Sequence, residues 1–433
     1  MMHGLHRMHT LGRTTLALVL CAATAVTGCE GRRTITSTVA PLGLTVRVHV
    51  APDLAAVAQA LGWSGAAVPG AVVVAEYTAG DAGPTPSDSA ITGATGALRF
   101  ADLAEGTYTV RVSRTLTAAE LTLAGSLLGS TDALAGIATI PLNVSSSDTV
   151  DVQLRGVGGS SLVFSEIFGT EPILAYSTYD LGNYVKIYNN SDTTIALAGK
   201  LFVDSYAGYV IGANTPYQCS TFAAISNDPA GLWAMFIFRF PPTARALKPG
   251  ESALIATDAI DHRQVSNTAG FFDLSRADFE FKGTADAQNP LAQGMLDIGP
   301  RAADAGDGHG WRTHGRMVIG LAQSLDIDTL PHKFEPALAA GQIVVRIPTA
   351  AMLDVASWNA LDAAQHSQYT PCPSTVPSNL DAAEAATVVH FADTLSMHRR
   401  LIRKLSNGRA RLQRSRNSAA DWVAAPGTPA AVP

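Results

Sequence analysis

Cysteine is nearly missing from this chain of 433 residues, with only Cys21, Cys29, Cys219 and Cys372. Charge is sparse too, at 15% of residues, and aromatics make up 7%. Beyond the N-terminal segment no apolar run approaches the roughly twenty residues of a membrane-crossing helix; the best candidate, Leu232–Phe238, is strand-sized. The sequence also lacks a Gly-x-Ser-x-Gly elbow and a His-Glu-x-x-His helix, so no motif points to either of those hydrolase chemistries. Paired carboxylates for sugar cleavage stay open, because such partners meet only in three dimensions. What is present is 47% hydrophobic residues with 38 Gly and 23 Pro spread along the chain, a composition suited to many short strands joined by turns.

The first residues have the three parts of a secretory signal. Arg7 and Arg13 give a positive flank, Leu16–Val26 an apolar run, and Thr27-Gly28 the small residues before a cut. The run is too short to stay in a bilayer as a spanning helix. Because Val26-Thr27-Gly28-Cys29 reads as a bacterial lipobox, the small pair directly before cysteine favours lipid processing over an ordinary secretory cut. Cys29 is then the lipid attachment site and the new N-terminus, and several acyl chains on one residue anchor stably where a single chain would not. Glu30 follows, where an Asp commonly marks inner-membrane retention, so the outer membrane is expected.

With Cys21 lost and Cys29 acylated, Cys219 and Cys372 remain as a disulfide pair or as two buried thiols. A bond would close a loop of 372 − 219 = 153 residues, an upper estimate of about 4 to 5 kcal/mol in the chain-entropy model. Net charge is −6 but unevenly placed: Arg399, Arg400, Arg403, Lys404, Arg409, Arg411, Arg414 and Arg416 form a run with no acid among them. Without these eight, Arg7 and Arg13, 20 basic residues face 36 acidic ones.

Along the mature chain, residues 29–41 form a polar tether. Leu44-Thr-Val-Arg-Val-His-Val50 alternates as a half-buried strand. A short helix follows, with Asp53 as its expected cap and Gly62 as its end. Ala71–Tyr77 is an expected strand, the Gly/Pro-rich segment to Pro84 a loop, Thr92–Gly96 a turn, and Ala97–Phe100 leads through Leu103 and Gly106 into the alternating Tyr108-Thr-Val-Arg-Val112. This order resembles the prealbumin-like regulatory domains attached to carboxypeptidases and outer-membrane proteins. The resemblance implies a small β-sandwich over 42–155 that acts as spacer or docking module. Thr117 and Glu120 form a capping-box pair that opens a helix to about Leu128. Val150–Leu154 closes the unit, and Gly156-Val-Gly-Gly159 reads as a flexible break; with Ser161 in place of the third glycine, it is no dinucleotide loop.

The second region opens with Leu162–Phe168 and continues through Tyr184-Val-Lys-Ile-Tyr-Asn-Asn-Ser191, Ile195–Gly199, Leu201–Val203, Leu247-Lys-Pro-Gly250 and Ala253–Ala256. With Ser396-x-x-Arg399 and Asn417–Trp422 near the C-terminus, these pieces resemble the lamin-tail type of immunoglobulin-like sandwich, over 160–433. Lys186 stands where that pattern usually has Glu, and the wording there is closer to an uncharacterised bacterial lipoprotein family that joins a prealbumin-like domain to such a sandwich. Residues 258–394 read as a loop-rich insertion, the place where specificity usually sits on a rigid scaffold.

His309 and His314 flank Trp311 within Asp304–Gly315, but the spacing matches no zinc template and the glycines indicate a solvated loop. Asp326-Ile-Asp328 lacks the ligands of a calcium loop. No metal or cofactor is expected. The basic run has Asn407-Gly408 between Leu401, Ile402, Leu405 and Leu412. It therefore reads as a hairpin with a two-residue turn and its cations on the solvent face or guarding an edge; without interleaved aromatics it lacks the stacking groups of nucleic-acid binders.

The expectation is an all-β, two-domain ectodomain held in the envelope by lipid. Its expected role is binding or docking, with an outer-membrane uptake receptor as the candidate partner protein. The alternative is an extracytoplasmic hydrolase acting on polysaccharide or peptide, its residues within 258–394.

Overall fold

The alternation at the start of the mature chain becomes strand β1 (Leu42–Val50), with Leu44, Val46 and Val48 buried and Arg47 turned outward. In this computed structural model the described residues are 42–77, 87–128, 131–143, 149–158, 162–169, 181–205, 209–211, 228–264, 272–281, 289–300, 316–335, 342–359, 369–371, 376–386 and 395–430. The chain is all-β, with a few short helices.

β2 (Val72–Tyr77), β3 (Ser87–Ile91), β4 (Ala97–Leu103), β5 (Gly106–Thr115), β6 (Thr131–Leu142) and β7 (Thr149–Gly158) join β1 in one sheet of order β3-β2-β5-β6-β7-β1-β4. Only β1 and β7 run parallel. The two terminal strands, β3 and β4, approach each other, so the sheet curls around a core that includes Val46, Val73, Phe100, Val110, Leu134 and Val152.

Helix α1 (Ala55–Ala60) differs from expectation at its start. Pro52 begins a 3-10 turn that takes in Asp53, so the N-cap is Leu54 and no side chain caps the helix. Helix α2 (Ala118–Ala124) has the expected capping box: Thr117 N donates to Glu120 Oε2 at 2.8 Å and Glu120 N to Thr117 Oγ1 at 3.3 Å. The Gly156–Gly158 stretch is not a flexible break, because β7 continues through it, paired with β6. Glycine fits at 156 because the Thr131 hydroxyl lies 2.8 Å from where a Cβ would stand.

In the second region β8 (Leu162–Phe168) and β9 (Tyr184–Asn189) sit near the middle of a seven-stranded sheet. Ser252–Ala256 borders it on one side, and Leu395–Arg399 with Trp422–Pro426 on the other. Facing it is a six-stranded sheet built around Leu201–Ser205, Arg316–Ala322 and Met352–Asn359. Phe164, Ile187 and Met397 from the first meet Phe202, Ile319 and Trp358 from the second in one core. The second face of the six-stranded sheet is covered as well: Leu201, Val203 and Val318 pack on Leu232, Val345 and Ile347 of a three-stranded sheet. Residues 258–394, read as loop-rich from sequence, thus contribute two strands at the middle of the six-stranded sheet.

Leu401–Lys404 and Ala410–Leu412 form the expected hairpin, but with a different turn. Leu405 N donates to Arg409 O at 2.8 Å and Gly408 N to Leu405 O at 2.9 Å, giving a three-residue loop with Gly408 at φ +81°. The glycine takes the left-handed position after a turn.

Candidate functional site

The basic run was expected at the surface; the structure places much of it inside. Arg399, 4% exposed, donates from Nη2 to Asp354 Oδ2 at 2.6 Å, from Nε to Phe164 O at 2.6 Å and from Nη1 to Gln413 O at 3.1 Å, with Asp421 Oδ2 at 3.4 Å. Its guanidinium lies 4.5 Å from the centre of the Trp422 ring. Arg414 Nε reaches Asp354 Oδ1 at 3.1 Å. Arg403 and Arg411 share Asp132 of β6, at 3.1 and 3.4 Å, and Arg409 pairs with Asp192. A buried guanidinium is tolerated only with such charged and carbonyl partners, and those partners lie far away in sequence.

Behind Arg399 are two further buried acids. Asp421 accepts from Ser415 N at 2.9 Å and Ser415 Oγ at 2.7 Å. Asp381 accepts from Ser418 N at 2.7 Å and Ser357 Oγ at 2.5 Å. Burial pushes the Asp381 carboxyl up to about 7, against the pull of its serine bonds and with a further push from Asp421. Burial also raises Asp421, against the attraction of Arg399. Asp204, 3% exposed, has an oxygen without a hydrogen-bond partner, and burial drives its pKa well above the ordinary carboxylate value.

Lys186, the residue that departs from the lamin-tail pattern, forms a buried pair with Glu166 at 3.0 Å. Glu166 also accepts from Tyr184 OH at 2.6 Å, Ser396 Oγ at 2.9 Å, Thr428 N at 2.6 Å and Thr428 Oγ1 at 2.9 Å. Burial would raise its pKa; Lys186, His398 and the hydrogen bonds outweigh that and hold it below the usual value. With both oxygens committed, the pair staples the C-terminal segment to the sheet and offers no free base.

The open feature is a cleft of about 330 Å³ between the outer face of β2 and β5 and the closing strands. Arg111 of β5 lines it, with Nε on Glu76 Oε2 at 2.8 Å and Nη1 on Ala419 O at 3.0 Å. Arg400 enters from the other wall, its Nε on Trp422 O at 3.2 Å. Burial, the larger cause, and the nearby Arg111 charge together lower the Arg400 pKa to about 10, against the opposing pull of Glu76 and Asp421. Val74, Leu401 and Val423 supply apolar wall. A wider cleft of about 490 Å³ runs past Arg263, Asp273 and Asp278, where Arg263 pairs with Asp261 and Asp273, and Asp278 with Arg245.

Of the residues singled out from sequence, Cys29, Cys219, Cys372, His309 and His314 lie outside the described residues. Asp326 caps a 3-10 turn, accepting from Asp328 N at 3.3 Å. Among the described residues no three His, Cys, Asp or Glu side chains cluster as metal ligands. Neither Arg111 nor Arg400 was marked as a site by sequence reasoning. Each occupies an ordinary polar position, one in an alternating strand and one in the basic run.

No protein-family model and no curated protein matches the chain. Among solved structures, a DUF4876 family protein from Bacteroides thetaiotaomicron aligns over 88% of this chain and 95% of its own, at 16% identity and a TM-score of 0.47. A minor pilin of Streptococcus agalactiae aligns over 71% of this chain and 91% of its own, at 12% identity and a TM-score of 0.16. Neither likeness is near enough to bear on function.

Proposed function

We propose that the protein is a lipid-anchored cell-envelope binding or docking protein, acylated at Cys29 and serving as accessory to an outer-membrane uptake receptor. In this reading residues 42–155 are a prealbumin-like sandwich and 160–433 a lamin-tail-like one. The curled seven-stranded sheet and the two facing sheets with a common core support that assignment. The observation that carries the binding reading is the cleft walled on one side by β2 and β5 and on the other by Arg400, Leu401 and Val423. A concave site with apolar walls and a few convergent polar groups is the usual form of a binding site. Asp381 and Asp421, two acids that lie close together, are sealed inside as acceptors, so that pair does not supply hydrolytic carboxylates.

The test is a pull-down of the lipidated full chain from envelope extract, alongside Cys29→Ala. The parent is expected to stay with the outer-membrane fraction and recover one receptor protein, while the variant leaves that fraction. A parent that recovers no envelope protein, or a variant that fractionates like the parent, overturns the reading.

A further inference from the structure

The charge balance of the cleft is uneven. Two guanidinium groups line it, and the only carboxylate among its lining residues, Glu76, is already engaged by Arg111 Nε. Arg111 spends a second nitrogen on Ala419 O. Among the described residues the Arg400 side chain donates through Nε alone, to Trp422 O, and its two terminal nitrogens have no hydrogen-bond partner. The nearest other acid, Asp421, is committed to Arg399 and Ser415. A largely buried cation held beside a second cation is disfavoured electrostatically, which agrees with the depressed Arg400 pKa. An anion between the two guanidinium groups relieves that repulsion and fills unused donors in the planar geometry that arginine offers to oxyanions.

The remaining lining narrows the ligand. Leu401, 50% exposed, and Val423, 38% exposed, line the cleft together with Val74. An apolar wall next to a cationic end fits an amphipathic anion better than a fully hydrated one, because apolar contact adds to the charge term. The volume, about 330 Å³, is at the small end of ligand sites.

We infer that the Arg111–Arg400 cleft is a binding site for a small organic carboxylate, its head between the two guanidinium groups and its apolar part on Leu401 and Val423. The inference rests on the binding reading above and gives it a ligand class. Glu76 is then an internal competitor, holding Arg111 until the ligand carboxylate arrives.

Calorimetric titration of the full chain with hexanoate and, separately, with inorganic phosphate tests this, using the parent, Arg400→Met and Glu76→Gln. Methionine keeps an apolar stem and removes the charge. Hexanoate is expected to bind the parent and to bind Arg400→Met at least tenfold more weakly. Glu76→Gln frees Arg111 and is expected to tighten binding several-fold, an opposite response that misfolding does not produce. Phosphate is expected to bind more weakly than hexanoate. Absence of hexanoate binding at 10 mM, equal affinity in all three proteins, or preference for phosphate overturns the inference. If hexanoate fails while the envelope pull-down still recovers a receptor, the ligand assignment falls and the docking reading stands; if hexanoate binds and no receptor is recovered, the reverse holds.

Discussion

At the scale of single residues, the buried acids give a testable pH dependence. Asp381 has a folded pKa of about 7 against an ordinary 3.8. Between those values the unfolded chain gives up this proton while the folded one keeps it, so stability falls as pH rises from about 4 to 7. Asp381→Asn retains an acceptor for Ser418 N and a polar group for Ser357 Oγ, and it removes the titration. Urea unfolding at pH 4.5 and pH 7.5 is expected to show a loss in the parent that exceeds the loss in the variant by an amount on the order of a few kcal/mol, the remainder belonging to the other buried acids; equal losses in the two proteins refute the assignment. Glu166 acts in the opposite sense. Its pKa is lowered on folding, so its contribution is present above the ordinary carboxylate range and is lost on acidification below it. Little of this was legible in the sequence. Arg399 reads there as one of eight neighbouring cations, while Asp354, its closest acidic partner at 2.6 Å, is 45 residues away.

At the scale of elements, local chemistry was easier to read. The Thr117–Glu120 pair specified α2 because both partners of a capping box lie within one turn. Thr117→Ala is expected to cost about 1 kcal/mol of local helix stability, read as roughly fivefold faster amide exchange over Glu120–Leu128 with no change in β5. Equal exchange rates would show that packing alone holds α2. Strands with clean alternation, β1 and the middle of β5, were equally plain. β6 was missed because Thr131-Asp-Ala-Leu-Ala-Gly-Ile-Ala-Thr-Ile-Pro-Leu142 mixes small residues, glycine and proline without a period of two. β8 and Leu201–Ser205 are buried on both faces, so they carry no alternation that would tell which side packs where. Asn407-Gly408 identified a hairpin correctly, yet the same dipeptide serves a two-residue and a three-residue turn, and the register of the flanking strands decided between them.

At the scale of the whole molecule, the basic run ties the N-terminal sheet to the rest. Asp132 takes both Arg403 and Arg411, and Ile402 packs on Ala133, Ala135 and Val157. Asp132→Ala leaves two partly buried guanidinium groups short of a carboxylate, a change expected to cost about 1 to 3 kcal/mol. Scanning calorimetry is expected to show one main transition in the parent and an earlier, split transition in the variant. A single transition at the parent temperature would mean that apolar contact alone couples the sheets.

The woven position of residues 395–430 also governs how the protein is born. Arg111 meets Ala419 across 308 residues and Arg399 meets Phe164 across 235, so a ribosome must pass Asp421 before the central ion cluster can close. Until then Asp354 and the outer side of β8 wait without their partners. Vectorial synthesis therefore delivers an N-terminal sheet able to form early, followed by a long stretch that must be shielded from premature collapse, and a premature stop codon anywhere ahead of Arg399 would leave that stretch permanently unsealed.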